Sequence, residues 1–368
     1  MTRGGIETWL MRVLRAIDRE RVRMDFLVPT TEPAAYDEEI RALGSQVIPG
    51  PSHRRPLGFA SGVRRILRET GPWDVVHSHL SHVSGLVLRA ARAEAVPIRI
   101  AHSHNDRRTA HLQSGPVKRA YVALTRVLVH RHATAGFGCS VAAAEWLFGN
   151  RWQEDGRWRV LRYGLDLTPF GQEVDGAQVR GELGLGEDDL VIGHVGNFRA
   201  QKNHPFLVRI AAETVRQEPR AHFLLLGRDV DGTGEMREAV AKQAAAAGIA
   251  DRVHFLGERS DVPRLLLGAM DAFILPSLYE GLPNSVLEAQ AAGLRCVVSD
   301  AVTREVEVGR GLVRRLPLSA PAADWAAAVL RAADEGAGTA RQQARRLVAQ
   351  SWLNITGSVA ELEATYGV

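Results

Sequence analysis

The chain has 368 residues, 45% hydrophobic and 24% charged, ordinary globular usage that excludes disordered, collagen-like and mucin-like chains. Its two cysteines, Cys139 and Cys296, exclude a disulfide framework and a cysteine-based zinc site. The formal charge is +4, yet residues 1–165 carry 25 Lys and Arg against 15 Asp and Glu, and the remainder carries 21 against 27. A basic half ahead of an acidic half predicts two domains with different partners.

In chain order, the spacing predicts a helix over Glu7–Ile17 and a strand at Met24–Val28. A helix follows over Leu57–Glu69, a strand at Asp74–His77, a helix over Ser84–Ala95 and a strand at Ile98–Ala101. Ala133–Ser140 reads as a further strand with its turn. The boundary is expected at Tyr163–Asp166, with the Gly- and Pro-rich Pro169–Gly176 after it. Beyond it, strands are expected at Leu190–Val195, His222–Leu226, Val253–Leu256, Ala272–Leu275 and Cys296–Ser299. Helices are expected over Pro205–Glu218, Glu235–Ala247, Ser285–Ala292 and from Ala322 onward. Short β-branched runs alternating with longer amphipathic ones predict an α/β chain of two doubly wound parallel sheets. Such sheets bind ligands beyond the carboxyl ends of their strands, so the cleft between the domains is the expected site.

No apolar stretch approaches the ~20 residues of a membrane span, and no signal-peptide region follows Met1. A reducing cytosol is the expected compartment. The basic half could face anionic headgroups, nucleic acid or a phosphorylated acceptor. Nucleic acid is disfavoured, because the arginines are scattered without aromatic interleaving.

The sharpest element runs from Glu280 through Gly281, Leu282, Pro283, Asn284 and Ser285 to Glu288. The turn places free N–H groups at a helix start, where a phosphate is favoured, and Glu288 lies about one turn in, within reach of ribose hydroxyls. A capped helix with two solvated acids is the plainer reading. A second element, Gly196 to Asn203, is a strand–loop–helix carrying Asn197, Arg199 and Lys202. It would bind phosphate through cations rather than a glycine cradle, or be an ordinary loop. Gly4 and Gly5 open the first domain before a helix, where backbone can approach a ligand closely. His77, His79 and His82 follow one strand, and His102 and His104 another. Without a third-ligand pattern or an acidic cluster no metal is expected; a positioning imidazole at His104 or His102 is favoured, with structural roles for His77 and His79.

Glu280 to Glu288, followed by Ala289-Gln290-Ala291-Ala292-Gly293, resembles the Glu-X7-Glu signature of family-four retaining glycosyltransferases of GT-B architecture. Gly196–Asn203, Phe255-Leu256-Gly257, Asp261-Val262, Val160–Asp166, Gly4-Gly5 and His102–Asn105 are similar to that family's other landmarks in order and spacing. Within the family the chain is most similar to bacterial exopolysaccharide and capsule enzymes. The resemblance implies two Rossmann-like domains, at 1–165 and 166–345, with residues 346–368 a helix crossing back to the first. It implies a nucleotide-sugar donor, UDP-linked by analogy, and a glycan or polyprenyl-linked acceptor. Glu288 would hold the ribose, and Glu280 with Gly281, Leu282, Pro283 and Asn284 the donor sugar and phosphates. Lys202 would neutralise the diphosphate, Phe255 and Asp261 would hold the base, Gly5 would approach from domain one, and His104 would bond the donor sugar; Arg199 would join the donor site by substituting for the family's loop arginine, or diphosphate binding would be weaker. Glu280, His104 and Lys202 are the catalytic candidates; Gly4, His102 and Asn197 are secondary. No metal or cofactor is implied.

Two departures stand out. Asn197 occupies a position where relatives carry Arg, and the family's first strand before the Gly-Gly loop is absent, so an upstream strand is expected to be missing. A non-catalytic scaffold or a UDP-sugar epimerase are the competing readings. The basic half suits a peripheral contact with an anionic membrane, with Arg54, Arg55, Arg107, Arg108 and Arg119 as candidates.

Overall fold

The computed structural model describes residues 5–53, 58–106, 108–229 and 232–368, without the side chains of Thr109 and Ala110. Gly4, Arg54, Arg55, Leu57 and Arg107 therefore lie outside the described residues. The chain divides into two compact units, Met1–Gly164 with Ile355–Val368, and Leu165–Asn354.

In the first unit, β1 (Phe26–Val28) and β2 (Val47–Pro49) pair in parallel as a separate two-stranded sheet. Strands β3 (Val75–Ser78), β4 (Ile98–Ser103), β5 (Ala135–Gly138) and β6 (Trp158–Val160) form a four-stranded parallel sheet in that order. The register sets His77 opposite Ile100 and His102 opposite Phe137, so imidazoles gather where β3 and β4 end. The Gly5–Ala16 helix buries Trp9, Leu10, Met11, Val13 and Leu14 on one side. It packs in the same unit with the final helix, Ile355–Tyr366, whose Ile355, Val359 and Leu362 are buried. Gly164 is required where the chain passes that helix: a Cβ there would lie 2.4 Å from Ile355 Cα.

In the second unit six parallel strands run β12-β11-β10-β7-β8-β9. They are β7 (Leu190–Val195), β8 (Ala221–Leu226), β9 (Val253–Gly257), β10 (Ala272–Leu275), β11 (Arg295–Ser299) and β12 (Val313–Leu316). The chain builds outward from β7 through β8 to β9, then returns to the other side of β7 with β10. The order therefore reverses between β7 and β10, which is where open α/β sheets place ligands. Buried runs such as Ala221–Leu226, apolar apart from His222, are what a sheet covered on both faces demands. Phe206, Leu207, Ile210, Phe223, Leu225, Ile274 and Trp325 form its core.

Several elements depart from the sequence expectations. The Pro116–His132 helix was not expected. Its buried Val122, Thr125 and Val129 face away from exposed Val117, Leu124 and Val127, and apolar residues on both sides erase the periodicity that marks an amphipathic helix. The Val141–Phe148 helix, capped by Ser140 accepting from the Ala143 N–H, and the short strands β2, β6 and β12 also went unmarked. The Pro169–Gly176 stretch is not wholly irregular. A turn of helix spans Thr168–Gly171, and Asp175 caps the Gly176–Glu182 helix by accepting from the Gln178 N–H.

Candidate functional site

In the second unit, the loop after β7 and the loop after β10 meet through their side chains. Lys202 Nζ donates to Glu280 Oε1 at 2.6 Å, with only 15% and 7% of the two side chains exposed. Gln201 Nε2 donates to Glu280 Oε2 at 3.1 Å and to the Tyr279 carbonyl at 2.8 Å, while its own carbonyl accepts from the Leu278 N–H. Asn203 adopts a left-handed backbone, φ 55°, and its Nδ2 donates to the Pro276 carbonyl. Asn tolerates this conformation better than most residues, and it turns the chain directly into the His204–Gln217 helix. Gly196 makes the lysine's path available, because a Cβ there would lie 3.0 Å from Lys202 Cε and 3.1 Å from His194 Nε2.

Beneath this loop lie two imidazoles to which the sequence reading gave no role. His194 is fully buried and its Nδ1 donates to the Ile274 carbonyl; a carbonyl only accepts, so Nδ1 carries the proton and Nε2 is an acceptor. His204 stacks on Phe198 with ring centres 4.3 Å apart. Burial first, then a neighbouring cation, depresses His204 to about 4, so both rings are neutral at pH 7. The signal was present in the sequence as two histidines flanking the Gly196–Asn203 loop.

The Gly281–Pro283 turn is buried, and the Asn284–Ala291 helix starts from Pro283 without a side-chain cap. Glu288 is buried on the same helix. Arg341 fixes the far end: its guanidinium donates to the carbonyls of Ala292, Met270, Leu266 and Leu267.

Other expected donor residues are placed differently. Asn197 Oδ1 accepts from the Arg228 N–H, so its side chain ties the end of β7 to the end of β8. Arg199 is exposed. Phe255 is half-buried, with its ring centre 6.0 Å from that of Phe198 and the Arg237 guanidinium 5.6 Å above it. Asp261 is gripped by Arg259 through both oxygens at 2.7 Å, and this hydrogen bonding holds its carboxyl below the usual range. It lines a cavity of about 450 Å³ with Gln172, Asp175, Gln178 and Arg264, which includes neither Lys202 nor Glu280.

In the first unit four imidazoles form one contiguous group, with His102 and His104 buried and His77 and His79 half-buried. His77 Nδ1 bonds Tyr366 Oη at 2.9 Å and His77 Nε2 bonds His102 Nδ1 at 3.2 Å. His79 Nδ1 bonds His104 Nε2 at 2.9 Å, and His104 Nδ1 bonds Tyr163 Oη. Trp9 meets the His102 ring edge-on at 5.3 Å. Burial and the neighbouring rings depress His77, His102 and His104 well below the ordinary imidazole range. His104 thus has both nitrogens engaged within the protein, while His102 Nε2 is buried with no hydrogen-bond partner. Ligand atoms of His77, His79 and His102 lie within 4.8 Å of one another, a convergence that spacing along single strands did not reveal. Gly5 begins the Gly5–Ala16 helix of this unit and is exposed.

Two Rossmann-like parallel sheets, the second with a half-buried lysine–carboxylate pair at its switch point, define a glycosyltransferase of GT-B fold. The chain belongs to the group 1 glycosyl transferases, whose family matches residues 189–335, and residues 4–164 match the glycosyl transferase 4-like domain. It is 38% identical over 341 residues to EpsF of Bacillus subtilis (strain 168), spanning 91% of this chain and 86% of that one. It is 28% identical over 232 residues to the UDP-Gal:alpha-D-GlcNAc-diphosphoundecaprenol alpha-1,3-galactosyltransferase of Escherichia coli, spanning 62% of this chain and 58% of that one. Among solved structures, HepE of Anabaena in complex with UDP-glucose superposes with a TM-score of 0.81 at 19% identity, covering 100% of this chain and 96% of that one. The chain is a glycosyltransferase, an enzyme that transfers glycosyl groups. Among its described residues no helix is long and apolar enough to cross a membrane.

Proposed function

We propose that this enzyme moves a hexose or N-acetylhexosamine from a UDP-sugar to a glycan or polyprenyl-linked acceptor, with retention of configuration and without a metal. The observation that carries this reading is the Lys202–Glu280 pair, held at the switch point beside the uncapped start of the Asn284–Ala291 helix. In the reaction, the bond from the anomeric carbon to the diphosphate oxygen breaks and a bond to the acceptor oxygen forms on the same face. The acceptor proton passes to the departing diphosphate. Charge develops on that diphosphate, so preorganised donors aimed at it lower the barrier. Lys202 and Arg199 are those donors, and Glu288 takes the ribose hydroxyls. Glu280, oriented by Lys202 and Gln201, bonds the donor sugar and is not a nucleophile. The relative from Escherichia coli, named for a UDP-sugar and a diphosphoundecaprenol acceptor, supports the donor and acceptor classes.

Thermal unfolding with UDP, GDP, ADP and CMP in turn, repeated with Glu288→Ala, tests the donor class. A nucleotide at ~100 times its dissociation constant stabilises by ~2.7 kcal/mol. Stabilisation by UDP alone that disappears in the variant is the expected result. Stabilisation by no nucleotide would remove the donor site, and binding without transfer to any acceptor would favour a non-catalytic scaffold.

A further inference from the structure

From Arg107 to Ala144 the sequence has no Asp or Glu and has six Lys or Arg. In the structure this stretch contains the Pro116–His132 helix, laid along the Ser84–Ala93 helix of the first unit. Its inner face is set by Gly85, whose absent Cβ lets the Thr125 carbonyl and Leu128 approach. Its outer face is the reverse of a solvated helix. Val117, Leu124 and Val127 are 83%, 59% and 59% exposed, and Ala120 and Ala123 between them are exposed too. These positions recur at helical spacing opposite the buried Val122, Thr125 and Val129. Leu112, just before the helix, is 69% exposed. Four of the eleven large apolar side chains that are exposed among the described residues therefore fall within 112–127, a clustering that scattered surface residues do not produce.

Cations border this stripe. Lys118 and Arg119 are exposed in the first turn and Arg131 in the last, and among the described residues none of the three forms an ion pair. Arg108, a candidate from the sequence, contributes less: it is paired with Asp106 at 2.8 Å and Glu145 at 3.0 Å. An exposed apolar stripe flanked by unpaired cations, in a stretch from 107 to 144 without Asp or Glu, matches a surface that is apolar inside and anionic outside. A protein partner would need an acidic rim around an apolar groove; a bilayer with anionic headgroups supplies both layers without further fitting.

We infer that the outer face of the Pro116–His132 helix docks the enzyme on an anionic lipid bilayer, with Val117, Leu124 and Val127 entering the headgroup–acyl boundary and Lys118, Arg119 and Arg131 meeting the headgroups. This deepens the proposed reading only in supplying a place to meet a lipid-linked acceptor; the surface chemistry stands without it.

The test is co-sedimentation of the full chain with vesicles of phosphatidylcholine alone and of an equal mixture with phosphatidylglycerol. The wild type pellets with the mixed vesicles, less at high salt. Leu124→Glu with Val127→Glu lowers the partition coefficient by at least about tenfold. Lys118→Glu with Arg119→Glu removes the dependence on phosphatidylglycerol. The substituted side chains lie outside the core, so unchanged thermal unfolding verifies folding, and protection by UDP, read on the same samples, separates failure of docking from failure of the donor reading. Wild-type protein that stays in the supernatant overturns the inference, as does equal pelleting of the Leu124/Val127 variant. So does a wild-type dimer that this variant dissociates, because a second copy would then cover the stripe.

Discussion

Lys202 Nζ lies 2.6 Å from Glu280 Oε1, joining two strand-end loops 78 residues apart. The pair is half-buried, so each partner depends on the other: a fully buried charge that loses its counter-charge costs about 3–5 kcal/mol, a half-buried one less, and removal of both is much cheaper. Lys202→Met should therefore destabilise the protein by about 1–3 kcal/mol in urea denaturation, and Lys202→Met with Glu280→Gln should restore most of that. Turnover should be lost in both. Recovery of activity in the double variant would show that the lysine serves Glu280 alone.

Acid should unfold the first unit in a defined window. Burial pushes His79 down to about 3, and His77, His102 and His104 are depressed by burial and by one another. An unfolded imidazole takes a proton near 6.5, while these folded ones do not. The unfolded state thus binds more protons below that pH, and each such group removes about 1.4 kcal/mol of stability per pH unit between 6.5 and its folded value. Stability is full above 6.5 and falls as the pH drops towards 3. His79→Gln should flatten this dependence when denaturation midpoints are compared at pH 7 and pH 5; an unchanged slope would refute the account.

Gly85 sets the seat of the Pro116–His132 helix. A Cβ there would lie 2.2 Å from the Thr125 carbonyl oxygen and 2.8 Å from Leu128 Cβ. Backbone cannot give way as a side chain can, so Gly85→Ala should cost about 1–3 kcal/mol by chemical denaturation. It should also increase hydrogen exchange along 116–132. An alanine variant as stable as wild type would mean that the two helices can separate freely.

Arg341 holds four carbonyls at once, from Leu266, Leu267, Met270 and Ala292. A lysine carries the charge but not the planar fork. Arg341→Lys leaves buried acceptors unsatisfied and should cost about 2 kcal/mol. Because Ala292 ends the helix that carries Glu288, UDP protection should fall with it. A stable Arg341→Lys variant with full protection would show that these carbonyls are satisfied otherwise.

Local chemistry made much of the fold legible. Leu190–Val195 and Ala272–Leu275 are the same as strands in sequence and in structure, because predominantly apolar runs bounded by polar residues suit a sheet covered on both faces. The Pro116–His132 helix was not legible, because periodicity reports burial, and this helix is apolar on the side that meets the protein and on the side that does not. That Lys202 and Glu280 sit just past strand ends could be read from sequence, and so could the glycine that precedes the loop. Which atoms meet could not. The order β10-β7-β8 is a property of the sheet, and only it brings position 280 beside position 202. The histidines show the same division. Sequence alone determined that they follow β3 and β4. The parallel pairing of those strands decided that four rings share one contiguous group, with His104 engaged at both nitrogens. Hydrogen-bond partners are fixed by register and packing between distant segments, and no local pattern encodes them.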